Sequence, residues 1–274
     1  MKKILRMLAG MLLLAALSAC GASAQELRVD FYNVGKADAM LITTPGGQRI
    51  LIDAATNAEG KNLVKRFVQA GIDSIDLMII THFDKDHVGG ADKVLEDLTV
   101  AQVLMPVYEK DSKQYEQFLK AIEESGGTDV VEMKNAQELK FEVGGAQFTV
   151  TSAKQTYYGK DEENDFSLVV RMTYGDTRFL FAGDAEEARQ KEIINEGNVA
   201  CDVLKVPYHG RLTDVSPAFI AAAKPEIAFV TDSDKEPASE VVLALLSEEG
   251  AQVYSARGGD LTVISDGENV RTEK

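Results

Sequence analysis

Apolar and polar residues alternate over Leu27–Asn33, the pattern of a strand with one face buried. Ala39–Thr43 and Gln48–Asp53 repeat it on either side of Pro45-Gly46-Gly47, which predicts a hairpin. Lys61–Ala70 spaces its apolar residues as a helix does and is closed by Gly71. Leu77–Thr81 is an unbroken apolar run that suits a buried strand. Ala91–Leu98 and Ser112–Glu124 read as helices, the second stopped by Gly126-Gly127. Further strands are predicted at Glu138–Val143, Ala146–Ser152, Ser167–Tyr174 and Thr177–Ala182, with Gly175-Asp176 turning between the last two. Helix Glu186–Ile194, strand Val203–Val206, helix Pro217–Ala223 and strand Ile227–Thr231 follow. A helix at Ala238–Glu248 and strands at Val253–Ala256 and Leu261–Ser265 complete the chain. Two halves, each opening on strands and passing into helices, predict an α/β domain over residues 27–274 with two sheets face to face and helices outside.

The first residues follow another pattern. Lys2, Lys3 and Arg6 precede Met7–Ser18, an uncharged run of 12 residues, short of the roughly 20 that span a membrane. The run ends in Leu17-Ser18-Ala19-Cys20-Gly21, which resembles a bacterial lipobox. On that reading residues 1–19 are a lipoprotein signal peptide, Cys20 is acylated, and residues 20–26 tether the domain to the extracytoplasmic face of the cell membrane. The alternative is plain secretory cleavage at Ala22-Ser23-Ala24.

Charge and cysteine usage narrow the function. The 274 residues carry a net charge of −15, which becomes −18 once Lys2, Lys3 and Arg6 are removed. Such acidity argues against a broad basic face for nucleic acid, but not against a nucleic-acid enzyme whose metal ions supply positive charge locally. It also ranks short or single-stranded polyanions above long duplex as substrates. With Cys20 acylated, Cys201 has no partner for an internal disulfide.

The chemistry is concentrated in Thr81-His82-Phe83-Asp84-Lys85-Asp86-His87-Val88-Gly89-Gly90, which holds two of the chain's three histidines and two aspartates. The segment follows an apolar strand and precedes a helix, so its side chains fan into a cleft. Imidazole with carboxylate suits a divalent first-row metal, and the glycine pair lets the backbone turn closely beneath. An aspartate N-cap on a solvated turn would account for Asp86 alone, not for four ligand-type residues together.

This loop resembles the His-x-His-x-Asp-His loop of the metallo-β-lactamase superfamily. Leu51-Ile52-Asp53 looks like that family's first motif, where the aspartate supports the metal loop. Phe181-Ala182-Gly183-Asp184 matches the strand end that supplies a bridging carboxylate, and Val206-Pro207-Tyr208-His209-Gly210 the late histidine motif. Within the superfamily the chain most resembles the extracytoplasmic hydrolase domain of ComEC-type competence proteins. The similarity lies in Asn33-Val34-Gly35-Lys36-Ala37-Asp38-Ala39 (usually Val-Gly-Gln-Gly-Asp-Ala), in aspartate at position 84, in Asn164-Asp165-Phe166-Ser167-Leu168-Val169, and in Leu204-Lys205-Val206. The usual His-His-Gly-Ser is here Tyr208-His209-Gly210-Arg211, and a late His-Pro pair is Glu236-Pro237. No dinucleotide fingerprint, Walker loop or nucleophile elbow competes with this assignment.

The resemblance implies a four-layer αββα sandwich and two divalent ions, Zn or Mn. His82 and Asp84 would hold one ion and Asp86, His87 and His209 the other, with Asp184 between them. Asp53, Asp38, Asn164 and Asp165 are further candidates for ligands or supports. Asp86 and Asp184 are the implied catalytic residues, Asp86 orienting a water that the ions activate. Lys205, Tyr208 and Arg211 are candidates to meet phosphate. The implied activity is that of a phosphodiesterase or nuclease acting on DNA or another phosphodiester. The same metal core also serves ester, thioester or lactam hydrolysis, and a non-catalytic metal-binding lipoprotein is a third reading. Neither the oligomeric state nor the native metal is legible in the sequence.

Overall fold

The computed structural model describes residues 26–159 and 163–273; the signal-peptide and Cys20 readings lie outside them. Two sheets stack face to face. The first has eight strands in the order β15-β14-β1-β2-β3-β4-β5-β6, from β1 (Leu27–Phe31), β2 (Met40–Thr43), β3 (Arg49–Ile52), β4 (Ser74–Ile79), β5 (Thr99–Pro106), β6 (Asp129–Met133), β14 (Leu261–Ser265) and β15 (Val270–Glu273). The second has seven, ordered β13-β12-β11-β10-β9-β8-β7, from β7 (Glu138–Val143), β8 (Ala146–Thr151), β9 (Val169–Tyr174), β10 (Thr177–Phe181), β11 (Val203–Lys205), β12 (Ile227–Val230) and β13 (Gln252–Ser255).

Strand alternation builds the layers. Leu27, Val29 and Phe31, with Met40, Ile42, Ile50 and Ile52, face the second sheet and meet Phe148, Phe179, Phe181 and Phe229 in one core. The opposite face of the first sheet presents Leu41, Leu51, Met78 and Val103 to α1 (Asn57–Gln69), α2 (Ala91–Asp97) and α3 (Lys113–Ser125). The outer face of the second sheet packs Leu180, Leu204 and Ala228 under α4 (Glu187–Glu196), α5 (Ser216–Ala223) and α6 (Glu240–Glu248). The central strands are therefore apolar on both faces, as sheets covered on two sides must be. The result is the four-layer αββα sandwich.

The structure differs from the strand pattern in three places. β5, β6 and β15 are strands that alternation did not mark; β6 and β15 lie at sheet edges and are half-exposed. Helix α1 begins at Asn57, earlier than Lys61, because the Thr56 side chain caps it by accepting from the Glu59 amide. The two sheets are also not the two halves of the sequence. β14 returns to pair antiparallel with β1, Phe31 opposite Leu261, so the last two strands complete the first sheet. Among the described residues no helix is long and apolar enough to cross a membrane.

Candidate metal centre

The site forms where the ends of β1, β3 and β4 in one sheet meet those of β10, β11 and β12 in the other. Three segments of the first sheet are laced by backbone hydrogen bonds: Asp38 N to Asp86 O (3.0 Å), Ala54 N to His87 O (2.8 Å) and Ala55 N to Asp38 O (2.8 Å). The approach is close enough to require glycine. A Cβ on Gly89 would stand 2.1 Å from Lys85 O, and one on Gly90 would stand 2.2 Å from Ala54 O. Asp53, at φ 56°, faces the loop. Its carboxylate accepts from the Thr81 amide and hydroxyl and meets His87 Nδ1, each at 2.8 Å. That partner engages Nδ1 and leaves Nε2 as the nitrogen that faces the centre.

The second sheet delivers its residues by parallel register. Phe181 of β10 sits beside Lys205 of β11, so Asp184 and His209 leave neighbouring strands at one end. Tyr208 and His209 both adopt left-handed backbone, φ 52° and 51°, which costs of order 1–3 kcal/mol each and turns His209 inward. His209 Nδ1 lies 2.9 Å from both the carbonyl and the hydroxyl oxygen of Thr231, which again frees Nε2.

The free nitrogens converge on one carboxylate. Asp184 Oδ2 is 2.8 Å from His209 Nε2, Asp184 Oδ1 is 3.4 Å from His87 Nε2, and Asp86 Oδ2 is 3.4 Å from His209 Nε2. His82 packs against His87 with tilted rings, their centroids 4.1 Å apart. Its Nδ1 lies 3.1 Å from the Thr81 hydroxyl. The Nε2 atoms of His82, His87 and His209 are all buried; that of His82 has no hydrogen-bond partner, and those of His87 and His209 face only carboxylate oxygens. Imidazole nitrogens and carboxylates buried together are costly in a protein interior, and divalent cations would satisfy them. Asp38, His87, Asp184 and His209 can each offer an atom within 4.8 Å of the others. Asp38, however, approaches the Nδ1 side of both histidines, at 3.7 Å in each case. Asp38 therefore stands behind the imidazoles, whose Nε2 atoms face Asp184.

Fixed charge surrounds this set. Lys205 is fully buried; its ammonium pairs with Asp38, donates to Gly183 O at 2.9 Å and lies 3.3 Å from Asp184 Oδ1. Burial opposes the charge on Lys205, but Asp38 and Asp184 outweigh it and raise its pKa. Burial likewise opposes ionisation of Asp184, and His209, His87 and Lys205 reverse this and hold it well below the usual carboxylate range. Asp38 is lowered in the same way, against burial, by Lys205 and the two histidines. Burial, then repulsion from His87, pushes His82 down to about 4. Burial disfavours charge on His87 and His209 too, but the surrounding carboxylates raise both.

Other residues singled out by the sequence lie elsewhere. Asp84 turns away from the imidazoles and pairs at 2.6 Å with Lys110, whose ammonium also meets Glu163. Asp165 accepts from the amides of Glu186 and Arg189 at 2.9 and 3.0 Å, and Asn164 donates to Glu186 at 2.6 Å; both serve the start of α4. Lys205 is interior rather than exposed to substrate. Arg211 lies over the Tyr208 ring, 5.2 Å from its centroid, at the mouth of the site. Sequence reasoning missed three contributors: Thr231, Ser167 and Lys36. Ser167 Oγ accepts from the Asp184 amide at 3.1 Å, and Lys36 donates to Asp86 Oδ2 at 2.7 Å. The signal for Lys36 was its place two residues before Asp38 in a motif already noted.

Fold and centre together define a metallo-hydrolase, and the comparisons with known proteins give its class. The sequence model of the Metallo-beta-lactamase superfamily matches residues 32–230, and the chain belongs to that superfamily. ComE operon protein 3 of Bacillus subtilis is 28% identical over 224 residues, 75% of this chain and 28% of the relative. Recombination protein 2 of Haemophilus influenzae is 26% identical over 77% of this chain and 25% of its own length. The chain thus spans about a quarter of the curated relatives it matches. Among solved structures, CmlA, a diiron beta-hydroxylase from Streptomyces venezuelae, shares the fold with a TM-score of 0.57 at 16% identity, over 88% of this chain and 55% of its own. Yeast PDE1 does so with a TM-score of 0.57 at 9% identity, over 86% of this chain and 99% of its own.

Proposed function

We propose that the chain is a metal-dependent phosphodiesterase or nuclease, held at the extracytoplasmic face of the membrane by acylated Cys20. The observation that carries the metal dependence is that the buried Nε2 atoms of His87 and His209 both face Asp184, with that of His82 buried nearby and without a hydrogen bond. The phosphodiester reading is supported by a relative named for recombination, a process of DNA.

His87, His209, Asp184 and Asp86 would hold one divalent ion, Zn or Mn. His82 and Asp184 would contribute to a second, joined by Asp84 once it parts from Lys110. Bound there, such ions lower the pKa of water to near neutral and offset charge on a phosphoryl group. The protein's own part is positional. Asp86, clamped by Lys36, would orient the attacking water. Lys205 fixes Asp184 from behind, and Asp53 and Thr231 fix the two imidazoles. Tyr208 and Arg211, at the mouth, meet the leaving oxygen and the flanking anion.

The test uses the full chain, stripped of metal and reloaded separately with Mn²⁺ or Zn²⁺. Labelled single-stranded DNA and a chromogenic phosphodiester serve as substrates, with Asp86→Ala as control. Metal-dependent cleavage that the variant loses supports the reading and names the working ion. Intact substrates with ions still bound would sink it, and ester and lactam panels would come next.

A further inference from the structure

Four positions at which the sequence departs from the pattern it resembles meet at one place. They are Lys36 for glutamine, Tyr208 for histidine, Arg211 for serine and Glu236 for histidine. The Glu236 carboxylate stands between two cations, 4.0 Å from Lys36 Nζ and 3.8 Å from an Arg211 guanidinium nitrogen. Arg211 in turn reaches the Tyr208 hydroxyl at 3.5 Å. Lys36 belongs to the loop after β1, Arg211 follows the His209 turn, and Glu236 follows β12, so three separate segments supply the cluster.

We infer that Lys36 and Arg211 form an anion subsite for a second phosphate of the substrate, and that the Glu236 carboxylate occupies it until that phosphate arrives. The inference rests on the phosphodiester reading of the same site and adds a substrate class to it: strands or nucleotides carrying a phosphate next to the scissile one.

Three features support this. The subsite adjoins the reaction centre: Lys36 Nζ is 2.7 Å from Asp86 Oδ2, which is 3.4 Å from His209 Nε2. A phosphate at the centre would leave its neighbour on the strand at the rim. The donors suit the ligand, because a guanidinium and an ammonium bind phosphate by charge-assisted hydrogen bonds, and carboxylate is its nearest mimic among side chains. The placeholder is also free to leave. The Glu236 side chain is about half exposed (50%), and both its ion pairs are long, so water competes for it. Its backbone, by contrast, is fixed. Residues 233–236 form a tight turn, and buried Asp232 beside it accepts from the Ala238 amide and pairs with Arg257. A swing of the side chain alone therefore exchanges carboxylate for phosphate.

The test is equilibrium binding, which needs no turnover. The metal-loaded full chain is titrated calorimetrically with thymidine 3′,5′-bisphosphate and with thymidine 5′-monophosphate at fixed ionic strength. The bisphosphate should bind about tenfold tighter, and Arg211→Ser or Lys36→Gln should bring the ratio close to one. Glu236→Gln should tighten bisphosphate binding several-fold, a gain that misfolding cannot mimic. A ratio near one in the native chain, or a Glu236→Gln variant with unchanged or weaker binding, overturns the subsite. A chain that cleaves diesters yet shows no such ratio loses only the subsite. A chain that shows the ratio and cleaves nothing loses only the phosphodiesterase reading.

Discussion

The two ends of the His82–His87 loop have the same kinds of residue and very different surroundings. At one end, His87 is fully buried, held through Nδ1 by Asp53, and aimed at Asp184. Towards the other, Asp84, two residues past buried His82, is one-third exposed and pairs with Lys110 instead of turning inward. The first end is preorganised by carboxylates that cannot relax, because the interior has no water to replace them. The second is set by surface ion pairs, which contribute little each and exchange readily. We therefore expect one cation position to be built in and the other to depend on a rearrangement of Asp84.

The comparison breaks most sharply at its rigid end. His87→Ala should abolish metal retention through gel filtration and with it all hydrolysis, whereas a rigid end that tolerates this change was never the centre. Lys205→Met should leave Asp38 unpaired in the interior and cost about 3–5 kcal/mol, read as a lower urea midpoint of the metal-free chain. Asp53→Ala removes the partner of His87 Nδ1 and should weaken metal affinity about 10–100-fold in a chelator competition, with the fold retained. Asp84→Ala should affect the tighter ion far less than that and lower the occupancy of the weaker one. Equal losses from Asp53→Ala and Asp84→Ala would erase the distinction between the two ends.

The smallest effect is one of pH. His82 stays neutral when folded down to about 4, against an ordinary value of 6.5. Between those values the unfolded chain binds a proton that the folded chain does not. By linkage this contribution to metal-free stability falls as pH drops from about 6.5 to about 4. The raised values of His87 and His209 act in the opposite sense: their contribution is full below 6.5 and is lost as pH rises through their folded values. Comparing native chain with His82→Gln isolates the first effect. The native chain should lose stability relative to the variant as pH is lowered, and parallel curves would contradict the burial assigned to His82.

Much of this was legible because the chemistry is local. The apolar run before Thr81, the ligand-type residues after it and the glycine pair at 89–90 lie in one short segment, and strand-to-loop patterning placed them at a sheet end. Asp184 and His209 also lie just past predicted strands, but what singled them out was the resemblance to the superfamily's motifs. Lys205 illustrates the limit. Read along the chain, a lysine near a candidate site suggests contact with substrate. Its strand is central in the second sheet, however, and its ammonium is enclosed against Asp38, which is distant in sequence and arrives from the other sheet.

The sequence by itself determined the layers, through strand and helix periodicity, and the residue types of the centre, because a metal site needs imidazole and carboxylate at strand ends whatever the rest of the chain does. Tertiary structure decided how those residues are used. The return of β14 to β1, the parallel alignment of β10 with β11, and the meeting of Lys36, Arg211 and Glu236 are contacts between remote segments. Charge and direction at a buried site depend on what faces each side chain across such contacts. Periodicity reports only which face of its own element a residue occupies.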